Sequence, residues 1–190
     1  MKIGVISDTH GRLDAWRKAE SIFAGADLIV HAGDVLYHPP RLGWAEGYDI
    51  PAMAEAMNRS PIPIVIAQGN CDPQVYEELL EMPVQSPYAV VEFEGLRIVA
   101  NHGHLLTREQ MIALGRHFRA HVFVSGHTHM PVLERVGGLV LLNPGSPAYP
   151  KFEQDGRPVG SAGLITDTSV QIVSVEDGKT ISDFRFQISD

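Results

Sequence analysis

"ISDTHG", residues 6–11, closes an apolar run at 3–6. A hydrophobic strand ends there, and an acid, a hydroxyl and an imidazole follow at once. Asp8 and His10 stand two apart just past the strand's carboxyl end. The same pattern recurs downstream. The run LIVHAGDV ends in Gly33-Asp34, and PIVIAQGNCD ends in Gly69-Asn70-Cys71-Asp72. LRIVANHGH ends in Asn101-His102-Gly103-His104, and HVFVSGHTH ends in Gly126-His127-Thr128-His129. In α/β sheets, ligands bind beyond the carboxyl ends of the strands. Strands laid side by side would therefore bring these five polar endings to one patch.

Around them the chain reads as alternating elements. Short β-branched runs lie at 3–6, 28–30, 62–67, 89–93, 96–101, 122–125, 132–136, 139–143, 163–166, 170–175 and 181–186. Glu94-Gly95, Gly137-Gly138 and Asp177-Gly178 mark hairpin turns between them. Asp14 is placed to cap a helix whose apolar face is Ala15, Ala19, Ile22 and Phe23. Pro51 suits the first turn of a helix carrying Met53, Ala54 and Met57. Thr107 and Gln110 form a capping box before Met111, Leu114, Gly115 and Phe118. Stretches 37–49 and 154–161 read as loops. The first third alternates strand and helix, and the last third is nearly all strand. The expected class is α/β, with two facing mixed sheets and helices outside. At 190 residues, with no linker or repeat, residues 1–190 are expected to form one domain.

The residue types at the strand ends define their chemistry. Two carboxylates, one amide oxygen and at least three imidazoles would share one patch. Charges are too costly to gather at the end of a core without a counterion. Imidazole and carboxylate donors without a thiolate set suit manganese, iron, zinc or cobalt. Seven donors exceed what one tetrahedral ion takes, so two ions are expected, sharing a carboxylate; Asp34 is the candidate bridge. Gly33, Gly69, Gly103 and Gly126 would let the backbone turn and the ligands approach. Singly, each ending has an ordinary explanation: a turn, or a strand end facing water. Five in one order do not. The remaining histidines read as structural. His31 would be a hydrogen-bonded core residue, His117 and His121 would face solvent, and His38 would lie on the surface.

Bulk properties exclude several partners. The net charge is −8, with only 15 Lys and Arg, which argues against a nucleic-acid backbone as partner. A single cysteine rules out an intramolecular disulfide. No apolar run approaches the ~18 residues of a membrane span, and the N-terminus lacks a signal-peptide pattern, so a cytoplasmic location is expected.

Read in order, D-x-H, G-D, G-N-x-D, N-H-G-H and G-H-T-H resemble the full signature of the calcineurin-like metallophosphoesterases. The resemblance runs from Asp8 to the turn Asn143-Pro-Gly-Ser146. The short length, the GDVLYH stretch and the GNCD motif make the chain similar to the small bacterial phosphodiesterase subfamily. The resemblance implies two facing mixed sheets flanked by helices. It implies that Asp8, His10 and His129 hold one metal, that Asn70, His102 and His127 hold the other, and that Asp34 bridges. Manganese is the implied ion, with iron, zinc or nickel possible. In the wider family G-N-H-[DE] supplies a His that protonates the leaving oxygen; here Cys71 stands in its place. A thiol, with a pKa near ~8.5, is a poor substitute for an imidazole near ~6.5. Either another group donates, with His104 the nearest imidazole in sequence to a ligand, or the favoured esters have leaving groups that need little help; Asp72 would orient the loop or its neighbour.

The resulting expectation is a metal-dependent phosphodiesterase acting on a small diester through a hydroxide activated by two metals. Arg12 and Arg41 could meet extra phosphate charge. Tyr37, Trp44, Tyr48 and Tyr149 could stack on a base or pack at a subunit contact in a homo-oligomer. Loops 37–49 and 147–161 would shape the pocket. The alternative is a catalytically silent protein-binding scaffold, as in the retromer subunit of the same fold. That subunit lacks key ligand histidines which this sequence keeps.

Overall fold

The computed structural model describes residues 1–37, 43 and 45–185. The elements run β1 (Lys2–Ile6), α1 (Leu13–Ile22), β2 (Leu28–His31), α2 (Ile50–Asn58), β3 (Ile64–Ala67) and β4 (Val84–Gln85). They continue with β5 (Ala89–Phe93), β6 (Leu96–Ala100), α3 (Arg108–His117), β7 (Val122–Val124), β8 (Pro131–Val136) and β9 (Leu139–Pro144). The chain closes on β10 (Glu153–Gln154), β11 (Arg157–Pro158), β12 (Ser161–Thr166), β13 (Ser169–Ser174) and β14 (Thr180–Arg185).

Two mixed sheets form, as expected. One has the order β14-β13-β12-β1-β2-β3-β4 and the other β5-β6-β7-β9-β8. In the first, β1, β2, β3 and β4 are parallel, and β12 joins β1 antiparallel. In the second, β6, β7 and β9 are parallel, flanked by antiparallel β5 and β8. The alternation of side chains along each strand sets the layers. Ile3, Val5, Leu28 and Val30 meet Ile98, Val122, Val124, Val140 and Leu142 in a core between the sheets. Their neighbours Ile6, Ile29 and Ile66 point the other way, against Trp16 and Ala19 of α1 and Met53 and Met57 of α2. Val99, Phe123, Leu139 and Leu141 pack against Ile112 of α3 on the far side. Strands buried on both faces read as continuous apolar runs, which is why these were visible in the sequence.

Some local expectations need correction. Asp14 does not cap α1. Arg12 occupies the N-cap position without a side-chain cap, and Asp14 lies in the first turn. Arg12 pairs with Tyr48 in an isolated bridge and grips Asp14 through Nε and a terminal nitrogen, at 2.7 and 2.6 Å. Trp16, fully buried, belongs to the apolar face and Ile22 only borders it. Stretch 154–161 is not plain loop: β10 and β11 form a hairpin there, turning at Asp155 and Gly156 with φ of 52° and 72°. The α3 capping box is present, and Asp49 caps α2 through Ala52 N. His38, Arg41, Trp44 and Phe186 lie outside the described residues. Among the described residues, no helix is long and apolar enough to cross a membrane.

Candidate metal centre

Parallel pairing puts the carboxyl ends of β1, β2 and β3 on one edge of the first sheet. Those of β6, β7 and β9 lie on one edge of the second. The loops leaving these ends are laced together. Asp8 N donates to Gly33 O at 3.0 Å, and His10 N donates to Asp34 O at 3.0 Å. The buried Asp72 carboxylate accepts from Asp34 N at 2.7 Å and from Val35 N and Gly69 N at 2.8 Å, joining the second loop to the third. Asp72 thus ties the two loops together. Burial and the nearby Asp34 push its carboxyl up to about 6, against the pull of these three amides. Across the sheets, His127 N donates to Asp8 Oδ2 at 2.9 Å, and Ser7 Oγ donates to the same oxygen at 2.6 Å.

The backbone is strained here. Asp8, His10, Asp34, His127 and His129 have φ of 57°, 47°, 57°, 68° and 59°. Such left-handed conformations cost L-residues about 1–2 kcal/mol each, and they gather where surroundings over-determine them. Two glycines act differently, through space. A Cβ at Gly69 would collide with the Asp34 carboxylate and amide, and one at Gly126 with Ser7 Oγ and, at 2.8 Å, with Asp8 Oδ2.

The imidazoles are aimed by backbone carbonyls. Nδ1 of His10, His102 and His129 each lies 2.8 Å from a carbonyl oxygen, of Tyr37, Ala32 and Tyr149 respectively. A carbonyl only accepts, so each Nδ1 carries a proton and each ring turns Nε2, the nitrogen left to bind a metal, inward. The lone pairs converge: His10 Nε2 and His129 Nε2 are 3.2 Å apart. Asp8 Oδ1 is buried and accepts no hydrogen bond. It faces Nε2 of His129, His10 and His102 at 3.3, 3.8 and 3.9 Å. Asp34 Oδ2 reaches both sides, 3.3 Å from His102 Nε2 and 3.8 Å from His10 Nε2. Asn70 Oδ1 lies 3.1 Å from His102 Nε2. Acceptors facing acceptors at such distances repel unless a cation lies among them. Asp8, His10 and His129 form one donor group and Asp8, Asp34 and His102 another, each spanning no more than 4.8 Å. His127 is not in these groups; its ring stands 5.3 Å from that of His102. The donors fit a divalent metal, with ring nitrogens oriented from behind in the usual manner of metal ligands.

Electrostatics agree. Burial alone would raise the Asp8 and Asp34 carboxyls, yet the surrounding imidazoles hold both below their ordinary values. Burial would likewise depress His102, but the two carboxylates lift it to about 8. Proton and metal thus compete for one lone pair.

The calcineurin-like phosphoesterase superfamily domain matches residues 1–167. The chain belongs to that superfamily. Among curated relatives it is 36% identical over 184 residues to phosphodiesterase YfcE of Escherichia coli K12, covering 96% of each chain. The solved structure of that phosphoesterase superposes with a TM-score of 0.84 at 35% identity, over 97% of this chain and 98% of the other. Vps29 of Entamoeba histolytica, solved with Zn²⁺, shares the fold at a TM-score of 0.64 and 22% identity over the whole of both chains.

Cys71 follows Asn70 in the loop after β3. Burial and the adjacent Asp34 push its thiol up to about 12. Its parts instead serve geometry. Cys71 N donates to Asp34 Oδ1 at 2.7 Å, and Sγ accepts from Asn70 Nδ2 at 3.1 Å, which turns the amide oxygen toward His102. His104 is exposed, with its ring 5.5 Å from His102 and 6.0 Å from His127. His31 is a satisfied core residue, as expected: it receives Gly33 N at Nδ1 and meets Thr9 Oγ1 at Nε2. His117 is exposed as expected, but His121 is not simply solvent-facing, since its Nδ1 accepts from Arg97 N at 2.9 Å. Ser7, Thr9 and the anchoring carbonyls were missed by sequence reasoning. Of these only Ser7 and Thr9 carried a signal, as the hydroxyls flanking Asp8.

Proposed function

We propose that this protein hydrolyses a small phosphodiester with two divalent cations, preferentially manganese, with iron, zinc or nickel able to substitute. Asp8, His10 and His129 would hold one ion, Asn70, His102 and His127 the other, and Asp34 would be shared. The observation that carries the reading is the set of inward lone pairs around the unpartnered Asp8 Oδ1. When bound, the two ions would supply positive charge to the phosphoryl oxygens and make a water molecule more acidic. Asp8 and Asp34 offset part of that charge, so an anionic diester is still attracted. Cys71 holds the Asn70 amide in place, and Asp72 holds the loop carrying Asp34. His104, exposed beside His102 and His127, hands a proton to the leaving oxygen, a role the Cys71 thiol cannot fill. The net charge of −8 disfavours long nucleic acid as substrate. A cytoplasmic location accords with this reading. The relative named as a phosphodiesterase supports the diester class.

The test is hydrolysis of an aryl phosphodiester by manganese-loaded protein, with metal content measured alongside. Asp34→Asn is expected to lose bound metal and at least ~100-fold in turnover, on the scale of removing a key electrostatic group. Full metal content and turnover in that variant would refute the bridge. A wild-type protein inactive with every divalent ion would favour the scaffold reading. A panel of nucleotide diesters then narrows the substrate.

A further inference from the structure

The turn 143–146, which the proposed reaction leaves unused, joins the two sheets behind the centre. Ser146 is fully buried, and its hydroxyl is saturated. Oγ donates to Asp8 O at 2.8 Å and accepts from Tyr149 N at 2.9 Å and Ala148 N at 3.2 Å. Those bonds lead to one half of the centre. Asp8 is held in its left-handed conformation at the carbonyl that Ser146 grips. Tyr149 O is the acceptor that aims His129, and the Tyr149 ring stands edge-on to His10 at 5.7 Å. Two further bonds brace the turn. Asn143 Oδ1 accepts from Gly145 N at 2.9 Å, and Ser161 Oγ donates to Pro144 O at 2.7 Å.

We infer that Ser146 is the positioning residue of the Asp8, His10 and His129 half of the centre, setting its metal affinity separately from the other half. The inference rests on the proposed metal-holding role of those three residues. Removing the hydroxyl leaves two amides and a carbonyl unsatisfied in the interior. Asp8 then loses one of the constraints that keep it strained, and Tyr149 O can drift from His129 Nδ1. Residues that orient ligands typically change metal affinity 10–100-fold.

The experiment titrates metal-free protein with Mn²⁺, reading free manganese by its electron paramagnetic resonance signal. Wild type takes up two ions. Ser146→Ala should bind one of them 10–100-fold more weakly and the other within threefold of wild type, and Ser146→Thr should recover the loss. A double variant with His129→Ala should be weakened by less than the product of the two single losses, because the Tyr149 route is already lost with His129 while the Asp8 route remains. Ser161→Ala, which loosens the same turn without touching Asp8 or Tyr149, should leave both affinities in place. Wild-type affinity at both halves in Ser146→Ala overturns the inference. So does equal weakening of both halves, or the same loss in Ser161→Ala. If Ser146→Ala does not fold, Ser146→Cys keeps the volume with a poorer donor and is held to the same comparison. A wild type that binds two ions but cleaves no diester would sink the proposed activity and leave this inference standing. A wild type that binds none would sink both.

Discussion

His104 and His31 show how differently two histidines of one site neighbourhood can matter. His104 is exposed beside His102 and His127 and has no proposed ligand role, so its proton should matter only where the leaving oxygen needs one. His104→Gln should lower kcat on an alkyl diester by about 100-fold, the lower range for general acid catalysis. A nitrophenyl diester, whose leaving group departs as a stable anion, should be cleaved within about threefold of wild type. Equal losses on both esters would remove His104 from proton transfer. His31 is buried as a neutral base, and burial depresses its pKa to about 3. Its folded pKa lies below its unfolded value near 6.5, so between those values the unfolded chain binds the extra proton. Stability is therefore intact above about pH 6.5 and falls as pH drops toward 3. For metal-free protein in chelator, the loss between pH 7 and 5 should approach about 2 kcal/mol, at 1.36 kcal/mol per unit. Urea denaturation at the two pH values should show that loss reduced in His31→Gln; an unchanged slope would assign it to other groups. The proposed ligands were legible because Asp, Asn and His bring their donors wherever they are placed. The carbonyls of Ala32, Tyr37 and Tyr149 were not, since a backbone oxygen has no sequence signature.

Among the elements, legibility followed the range of the interactions that set each boundary. The α3 cap needs only Thr107 and Gln110, three residues apart, and both reciprocal bonds form. Thr107→Ala should cost about 1 kcal/mol and lower Tm by about 2–4 °C, read by calorimetry. A shift under half a degree would show that tertiary packing alone holds the helix start. The start of α1 is set instead by Arg12, held extended by its bridge to Tyr48 far along the chain. Local reading therefore chose Asp14 wrongly. The β10–β11 hairpin did carry a local signal in Asp155-Gly156, since Asp-Gly suits both left-handed turn positions. Its strands are exposed and polar, so no apolar alternation drew attention to it. The double-faced strands β1, β2, β7 and β9 were the easiest to read, because burial on both sides leaves a nearly continuous apolar run.

For the whole molecule, the proposed centre is a seam. Asp8, His10, Asp34 and Asn70 follow strands of the first sheet, and His102, His127 and His129 follow strands of the second. Direct polar links also cross there, His127 N to Asp8, His102 Nδ1 to Ala32 O and Ser146 Oγ to Asp8 O among them. Bound ions would add cross-links to these and to the apolar core that joins the sheets. Although the superfamily match ends at residue 167, β13 and β14 extend the first sheet beyond β12. We propose that all of 1–190 unfolds as one domain, which predicts a single transition by circular dichroism and tryptophan fluorescence. Ligands that bind only the folded state stabilise it by about 2.7 kcal/mol per site at a concentration 100 times Kd. Two ions should therefore raise Tm by roughly 10–20 °C, at about 2–4 °C per kcal/mol for a chain of this size. Chelator should reverse the rise, and Asp34→Asn, missing the shared ligand, should show less than half of it. If manganese and chelator left Tm unmoved, the lone pairs at the seam would hold no ion tightly enough to join the sheets.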